Sequence, residues 1–140
     1  MFEEIEIMLD NGAIMPTRAH ELDAGLDLYA MEDCLVPAKG SAVFNTGVHV
    51  KILPGFVGFI KSKSGLNVKH GLTSEGVIDA GYTGAIIVKV YNHSNEDYLV
   101  KSGDKLTQLV ILPIVTPKPK LVEAFDKTER GDGGFGSSGR

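Results

Sequence analysis

Short apolar runs separated by turn-forming residues make up most of this chain. Ile5 and Ile7 alternate with acidic residues ahead of the turn Asp10-Asn11-Gly12, and this period of two is typical of a half-buried strand. The longer apolar runs that predict further strands are Leu26–Ala30, Ala42–Leu53, Gly55–Ile60, Ala85–Tyr91 and Lys105–Val115. With 17 glycines dispersed among these runs, only Ser64–His70, ended by Gly71, is predicted to be helical. The pattern predicts an all-β domain, a closed or sandwich-like barrel.

Two of these runs, AIIVKVY at 85–91 and LVILPIV at 109–115, are apolar on both faces of the strand. A half-buried antiparallel strand keeps one face polar, so the second face is expected to be covered by a partner subunit. Pro113 predicts a sheet edge or a bend. The following VTPKPK predicts a stiff, extended segment, so residues 115–140 are expected to form an arm that reaches a neighbouring subunit.

Composition narrows the class of protein. A chain of 140 residues with 43% hydrophobic and 23% charged residues fits one domain, residues 1–140. A net charge of −4 argues against broad nucleic-acid binding, and the acidic N-terminus is unlike a signal or transit peptide. No apolar run suggests a membrane span. The lone Cys34 predicts no internal disulfide, so we expect a cytoplasmic protein, with Cys34 as a filler in or beside a strand.

The C-terminal stretch RGDGGFGSSGR, residues 130–140, is the most unusual segment. Gly131, Gly133 and Gly136 have the spacing of a dinucleotide-binding fingerprint, but that motif must open a helix, and only four residues follow Gly136. Ser137 occupies the place of the lysine that a Walker A motif requires. Composition alone therefore favours a disordered tail. The four histidines show no metal-ligand spacing, and no Gly-x-Ser-x-Gly elbow is present.

Five glycine-containing segments change this interpretation when they are taken together. Each alone is usually a turn; they are AGLDL (24–28), SKSGL (62–66), GVIDAGYTG (76–84), GDKLTQL (103–109) and the C-terminal stretch. In this order they resemble the five motifs of the trimeric dUTPases, most specifically in the third and the fifth. The resemblance covers residues 24–140.

The resemblance implies a distorted jelly-roll β-barrel with one short helix, assembled as a homotrimer with its sites at subunit interfaces. The implied reaction is Mg²⁺-dependent hydrolysis of dUTP to dUMP and pyrophosphate, in the cytoplasm or in a host cytoplasm for a phage-encoded chain. Each site would draw on all three chains, and the C-terminal arm, with residues 130–140 as its closing segment, would cover the substrate.

The matched motifs also imply roles for individual residues. Asp79 corresponds to the catalytic aspartate, which orients and deprotonates the water that attacks the α-phosphorus. Gln108 corresponds to the glutamine beside the α-phosphate and the water. Tyr82 would lie flat on the deoxyribose and exclude a 2′-hydroxyl, and Asp27 would help to hold the metal through water.

The remaining matched residues are expected to bind the substrate. Those of the second motif, at the start of the predicted helix, would contact the phosphates: Lys63, Ser64 and Gly65. Those of the third would present main-chain groups to the uracil: Gly76 and Ile78. In the arm, Arg130, Ser137 and Ser138 would contact the β- and γ-phosphates, Phe135 would stack on the uracil, and Gly136 would let the chain wrap closely.

Three positions depart from the family's pattern. Lys63 stands where arginine is usual, which keeps the charge but loses the planar fork that grips a phosphate at two points. Thr73 and Gly81 stand where many members carry asparagine and an acidic residue, so a base contact at Thr73 is left open.

Two alternatives remain at this stage. The related dCTP deaminases share the fold and much of the third motif, but they need a glutamate at the position of Lys89. A nucleotide-dependent regulatory binding protein is the second alternative, and a regulatory protein partner is compatible with the sequence. Release of pyrophosphate from dUTP would separate the enzyme from either.

Overall fold

The computed structural model describes residues 2–139, and within them lie ten strands and one short helix. The elements, in chain order, are β1 (Glu6–Leu9), β2 (Gly25–Tyr29), β3 (Cys34–Val36), β4 (Ser41–Asn45), β5 (Val48–Lys51), β6 (Phe56–Lys61), α1 (Ser64–His70), β7 (Leu72–Ile78), β8 (Ile87–Asn92), β9 (Tyr98–Val100) and β10 (Lys105–Pro113). The all-β prediction is confirmed, and so is the single short helix. In this part of the chain no helix is long and apolar enough to cross a membrane.

Six strands form a curled antiparallel sheet in the order β2-β10-β6-β7-β8-β4, flanked by the two-stranded pairs β1-β5 and β3-β9. Strand β7 changes partner along its length. Its first part, Leu72–Ser74, pairs with β8, whereas Glu75–Ile78 pairs with β6. The strands β7 and β8 therefore diverge beyond Ser74, and the loop 79–86 connects their separated ends.

The concave side of this sheet contains the hydrophobic core. Leu28, Ile60 and Leu109, from the neighbouring strands β2, β6 and β10, are each no more than 1% exposed. Full burial of such a side chain contributes about 1.5–3 kcal/mol. The core thus fixes β2 and β10, which carry the first and fourth motifs, and β6, whose end leads into the second motif.

The helix matches its predicted bounds, and Gly71 ends it in the left-handed conformation, with φ of 69°. The single strand predicted over Ala42–Leu53 is wrong, because it is divided into β4 and β5. Gly47 turns the chain there with φ of 66°, and the Thr46 hydroxyl donates to the Ile86 carbonyl at 2.7 Å. The polar threonine and the glycine were the available signals for this break. Cys34 lies in β3, half-buried, as expected.

Pro113 lies where β10 has become an edge. The pairing of β10 with β2 ends at Val110, whereas its pairing with β6 continues to Pro113. Pro113 therefore removes no hydrogen bond from a central strand. Beyond Ile114, whose amide donates to the Gly55 carbonyl at 2.9 Å, residues 115–139 contain neither helix nor strand.

Candidate active site

A buried carboxylate lies at one end of the sheet. Asp27, in the middle of β2, is 2% exposed, and its two oxygens contact two different lysines. Lys63 Nζ donates to Oδ1, and Lys105 Nζ lies 3.2 Å from Oδ2. A buried charge requires such partners, since it has given up its hydration. The three side chains form a charged cluster in which two cations surround one anion.

Gln108 is held beside this cluster. It pairs with Asp27 across β10 and β2, and its side-chain amide donates to the Ser62 carbonyl at 2.9 Å. Gly25 makes room for it, because a Cβ at that position would lie 2.1 Å from Gln108 Oε1. The fourth motif and the glycine of the first motif are thus matched to each other by shape.

The second motif forms the junction of β6 and α1. Ser62 exchanges hydrogen bonds with the backbone of Ser74, accepting from its amide at 2.9 Å and donating to its carbonyl at 3.2 Å. Lys63 is the residue that caps α1, without a side-chain capping bond. Ser64 and Gly65 follow as the first helical residues, both exposed, and their position leaves backbone amides at the helix start unpaired within the helix.

The third motif forms the loop that joins the diverging strands. Asp79 follows β7 and is exposed, and the Tyr82 amide donates to the Asp79 carbonyl at 3.1 Å. The Tyr82 hydroxyl donates to the Ala85 carbonyl at 2.8 Å. Gly84 lies under the tyrosine, since a Cβ there would lie 2.5 Å from its hydroxyl oxygen. The ring is therefore held in one position while remaining 46% exposed.

These two parts of the candidate site lie at opposite ends of β6. Gly58 pairs with Ile78 in the β6-β7 register, so Asp79 lies beside the start of β6, whereas Lys63 follows the end of that strand. About four strand residues at about 3.3 Å each, or roughly 13 Å, separate Asp79 from that end, and Lys63 lies two residues beyond it. One chain therefore does not bring Asp79 together with the Asp27 cluster.

In the described part of the glycine-rich arm, up to residue 139, the hydrogen bonds are all local. Arg130 Nε donates to the Gly133 carbonyl at 2.6 Å, and the Gly131 amide donates to the Thr128 hydroxyl at 2.9 Å. Phe135 is fully exposed and has a positive φ of 50°. Arg130, Ser137 and Ser138 line one open concavity. Arg140, the last residue of the predicted closing segment, lies outside the described residues.

Several contacts in the candidate site were missed by sequence reasoning. Lys105 lies inside GDKLTQL and was visible there as a cation beside a motif. The buried pair of Ser74 and Thr107, with hydroxyl oxygens 2.7 Å apart, gave no local signal, because the two residues are 33 positions apart. His49, which contacts the third-motif loop, gave none either, because its partners are 39 and 34 positions away.

The structure shows the surroundings of two departures from the family pattern, Thr73 and Gly81, and of Lys89. Thr73 is occupied by a hydrogen bond between its hydroxyl and His93 Nε2, at 2.7 Å. Lys89, at the position where a deaminase would need a glutamate, lies exposed on β8 with its ammonium 5.3 Å from the Tyr91 ring centroid. Gly81 adopts φ of 91°, a backbone conformation that residues other than glycine rarely adopt.

The fold and these strand-end groups define an all-β protein with a candidate site of charged and polar side chains at the ends of its strands. The family model named dUTPase matches residues 11–139. Deoxyuridine 5'-triphosphate nucleotidohydrolases from Arabidopsis thaliana and Eremothecium gossypii are 45% and 42% identical over 132 and 138 residues. These alignments cover 94% and 97% of this chain and 80% and 90% of the relatives. This chain belongs to the dUTPase family.

Solved structures agree with this assignment. A mutant dUTPase of Staphylococcus bacteriophage 80alpha with dUpNHpp is 33% identical, with a TM-score of 0.91 and coverage of 99% of each chain. The phage 80alpha dUTPase with dUPNHPP is likewise 33% identical, with a TM-score of 0.91, and is described among phage dUTPases that control transfer of virulence genes. A mutant dUTPase of phage phi11 of S. aureus, described with a structural Mg(II) ion, is 33% identical with a TM-score of 0.81, covering 89% of this chain and 100% of that one.

Proposed function

We propose that this chain hydrolyses dUTP to dUMP and pyrophosphate. The observation that supports this most directly is the divergence of β7 from β8, with Asp79 and Tyr82 on the loop that joins the separated ends. A slot between two strand edges, next to an exposed carboxylate and a fixed aromatic ring, suits a nucleoside whose phosphates extend outwards.

The slot would select the base through main-chain groups. In the diverging part, β7 pairs with β6 and β8 pairs with β4, so each strand presents its other edge to the gap. The Ile78 side chain is buried in the core, so only the backbone of Ile78 and Gly76 would face a base. Fixed amide donors and acceptors match uracil and reject cytosine, and a narrow gap excludes the 5-methyl group of thymine.

Tyr82 would select the sugar. Its hydroxyl is tied to Ala85 and its ring lies over Gly84, so the ring cannot retreat from a ligand that lies against its exposed face. A deoxyribose fits against such a surface, whereas the 2′-hydroxyl of a ribose would collide with it.

The chemical step would be carried by Asp79. Its carboxylate accepts a proton from a bound water as the water oxygen attacks the α-phosphorus, and the bond from that phosphorus to the α–β bridging oxygen breaks. Pyrophosphate leaves with the electron pair of that bond. Gln108, held by its bond to Ser62, would orient the water and the α-phosphate.

The Asp27 cluster would meet the phosphates and the metal. Among residues 2–139 no group of three or more His, Cys, Asp and Glu side chains could hold a metal, which fits Mg²⁺ bound mainly by phosphates and water. Asp27 is the candidate for a contact through water. Lys63 and Lys105 are 27% and 46% exposed, so either can move towards a phosphate and release a carboxylate oxygen. When bound, Mg²⁺ would neutralise charge on the triphosphate.

A trimer would complete the site. The two parts of the site lie at opposite ends of β6 in one chain, so a compact substrate needs Asp79 from one subunit and the Asp27 cluster from another. Exposed apolar side chains of the outer sheet offer contact area for assembly, among them Val43, Val77 and Ile87, which are 61%, 60% and 51% exposed. Burial of such side chains between subunits would drive association.

The arm would close over the bound nucleotide. Arg130, Ser137 and Ser138 would reach the β- and γ-phosphates, and Phe135 would cover the uracil. Gly136, with φ of 96°, permits the close wrapping that this requires. Closure would exclude water other than the nucleophile.

A nucleotide-dependent switch is the second candidate, because the similar phage 80alpha protein is described as a regulator. In such a protein, closure of the arm over dUTP would be the signal, with or without turnover. We place either activity in the cytoplasm, where free nucleotides are found.

Pyrophosphate release from purified protein with Mg²⁺ tests the proposal, with dUTP, dCTP, dTTP and UTP compared side by side. Release from dUTP alone is expected. Release from several nucleotides would contradict the roles of Tyr82 and the slot, and ammonia formed from dCTP would indicate a deaminase. Binding of dUTP without release would favour the switch.

A further inference from the structure

His49 links the third-motif loop to the residue that follows β1. It lies on β5, and its ring Nδ1 is 2.7 Å from the carbonyl oxygen of Thr83. The other nitrogen, Nε2, is 2.9 Å from Oδ1 of Asp10, which follows β1. The His49 side chain is 21% exposed. Through its contact with the Thr83 carbonyl it packs against the loop between Asp79 and Gly84.

Both neighbours of the His49 ring are hydrogen-bond acceptors. A carbonyl oxygen and an ionised carboxylate cannot donate, and a neutral imidazole has only one N–H. Only the imidazolium form can satisfy both contacts at these distances. The contrast is His93, whose partner Thr73 has a hydroxyl that can donate or accept, so that contact needs no extra proton.

We propose that protonated His49 is a positioning residue for the catalytic loop, which it holds through the Thr83 carbonyl. This inference rests on the proposed hydrolysis of dUTP for its kinetic consequence, whereas the contact itself does not depend on that activity. Thr83 lies between Tyr82 and Gly84, so movement of its carbonyl would displace the sugar-contacting ring and, through the turn, Asp79.

The hydrogen-bond partners of His49 and the charge of Asp10 favour the protonated imidazole. The pKa of His49 is raised from its ordinary 6.5, first by the hydrogen bond to the Thr83 carbonyl and then by the bond to Asp10, while partial burial opposes the shift. The other charged groups lining the same surface cleft are Glu6 and Lys51, which pair with each other at 3.3 Å and so largely cancel at His49.

The sign of the pH effect follows from the raised pKa. The contact contributes fully below pH 6.5 and is lost as the pH rises through the raised value. When one proton leaves, the charged carboxylate of Asp10 is the stronger acceptor and retains the remaining N–H. Nδ1 then faces the Thr83 carbonyl with a lone pair, and the loop is released.

A pH titration of the labelled wild-type protein followed by NMR tests the contact without any assay of activity. The His49 ring signals and the backbone amide signals of residues 81–84 would be recorded together, with His93 as an internal reference. We expect the loop amides to shift with the same midpoint as His49. Loop amides that do not respond while His49 titrates would overturn the inference.

Two variants separate the two contacts of the ring. His49→Asn places its amide near Nδ1 and can still donate to Thr83, whereas His49→Gln places its amide near Nε2 and reaches only Asp10. We expect His49→Gln to lower kcat for dUTP by about tenfold with little change in KM. Without the Thr83 contact the loop shifts slightly, and a small displacement of a reacting group lowers the rate. His49→Asn should keep kcat within about threefold. The wild-type kcat is expected to fall as the pH rises through the raised pKa of His49, and this fall should be absent in His49→Asn, because an amide does not titrate there.

Circular dichroism and thermal unfolding would verify that both variants are folded. Equal losses in the two variants would overturn the positioning role, because that role depends on the Thr83 contact alone. If the wild-type loop amides follow His49 but no nucleotide is hydrolysed, the contact is supported and the proposed function fails. The two conclusions therefore fail in different experiments.

Discussion

The barrel and the arm hold their candidate site residues in opposite ways. In the barrel, the Asp27–Lys63 pair joins positions 36 apart, and Gln108 is bonded to Ser62 across 46 positions. In the arm, Arg130 bonds to a residue three positions away. Long-range bonds fix a geometry before substrate arrives, whereas local bonds leave the segment free to move as a unit. The comparison fits the proposal of a preorganised site that the arm closes over as an adaptable cover.

The largest effect is expected from a change in the fixed part. Asp79→Asn removes the proposed base but keeps the size of the side chain, so turnover of dUTP should fall on the order of 10²–10⁴-fold. Binding of dUTP and the oligomeric state should be retained, since Asp79 is exposed and outside the core. Steady-state kinetics and calorimetric titration measure the two properties. Near-normal turnover would remove Asp79 from its catalytic role.

Deletion of the closing segment of the arm should reduce activity somewhat less than Asp79→Asn does. Deletion of Gly131 to Arg140 should lower kcat/KM on the order of 10²-fold, because phosphate contacts and water exclusion are lost together. The unfolding temperature should be unchanged, since residues 128–139 hydrogen-bond to one another and not to the barrel in the described structure. A truncated protein with full activity would contradict closure by the arm.

A smaller effect is expected where the fixed part selects the sugar. In Gly84→Ala the new Cβ would collide with the Tyr82 hydroxyl, so the ring must shift. Discrimination of dUTP against UTP should fall by about tenfold. Tyr82→Phe is the matched control, because it keeps the ring and removes only the bond to Ala85, and it should change discrimination less. Unchanged selectivity in Gly84→Ala would show that the ring position does not set it.

The last expected effect is on stability, within the charged cluster, and not on activity. Lys63→Met should lower the free energy of unfolding by about 1–3 kcal/mol, because Asp27 stays buried and loses a charged hydrogen bond. Lys105→Met should cost below about 1 kcal/mol, since that side chain is 46% exposed and its contact is longer. Urea unfolding of the two variants provides the comparison. A larger cost at Lys105 would reverse the assignment of the principal partner.

Local patterns predicted the fold well where they were self-contained. The helix at Ser64–His70 was predicted to its exact bounds because glycine punctuation is local, and β2, β6, β8 and β10 followed from their apolar runs. The strands β3, β7 and β9 were not predicted as such, since two are only three residues long and β7 carries glycine and polar residues. Its pairing with β6 and β8 supplies the stability that its sequence lacks.

The candidate site, like the fold, could be predicted where the signal is local in sequence and not where it depends on distant residues. Motif positions such as Asp79 and Gln108 could be assigned from the sequence, and their roles remain predictions. The partners of Asp27 and His49 could not be assigned, because each contact joins strands that are distant in sequence. Lys63 was expected to face phosphate, and the structure pairs it with Asp27, a contact that no spacing rule would have indicated.

The central claim is that one site needs parts from different chains, and complementation between inactive subunits tests it most directly. Asp79→Asn chains and chains lacking residues 131–140 would be unfolded together, refolded into mixed assemblies of the proposed trimer and assayed with dUTP. If Asp79 and the arm come from different subunits, about a quarter of the sites in a random mixture regain both, and activity should return to about a quarter of the wild-type value. Mixed trimers as inactive as the separate parents would contradict a shared site.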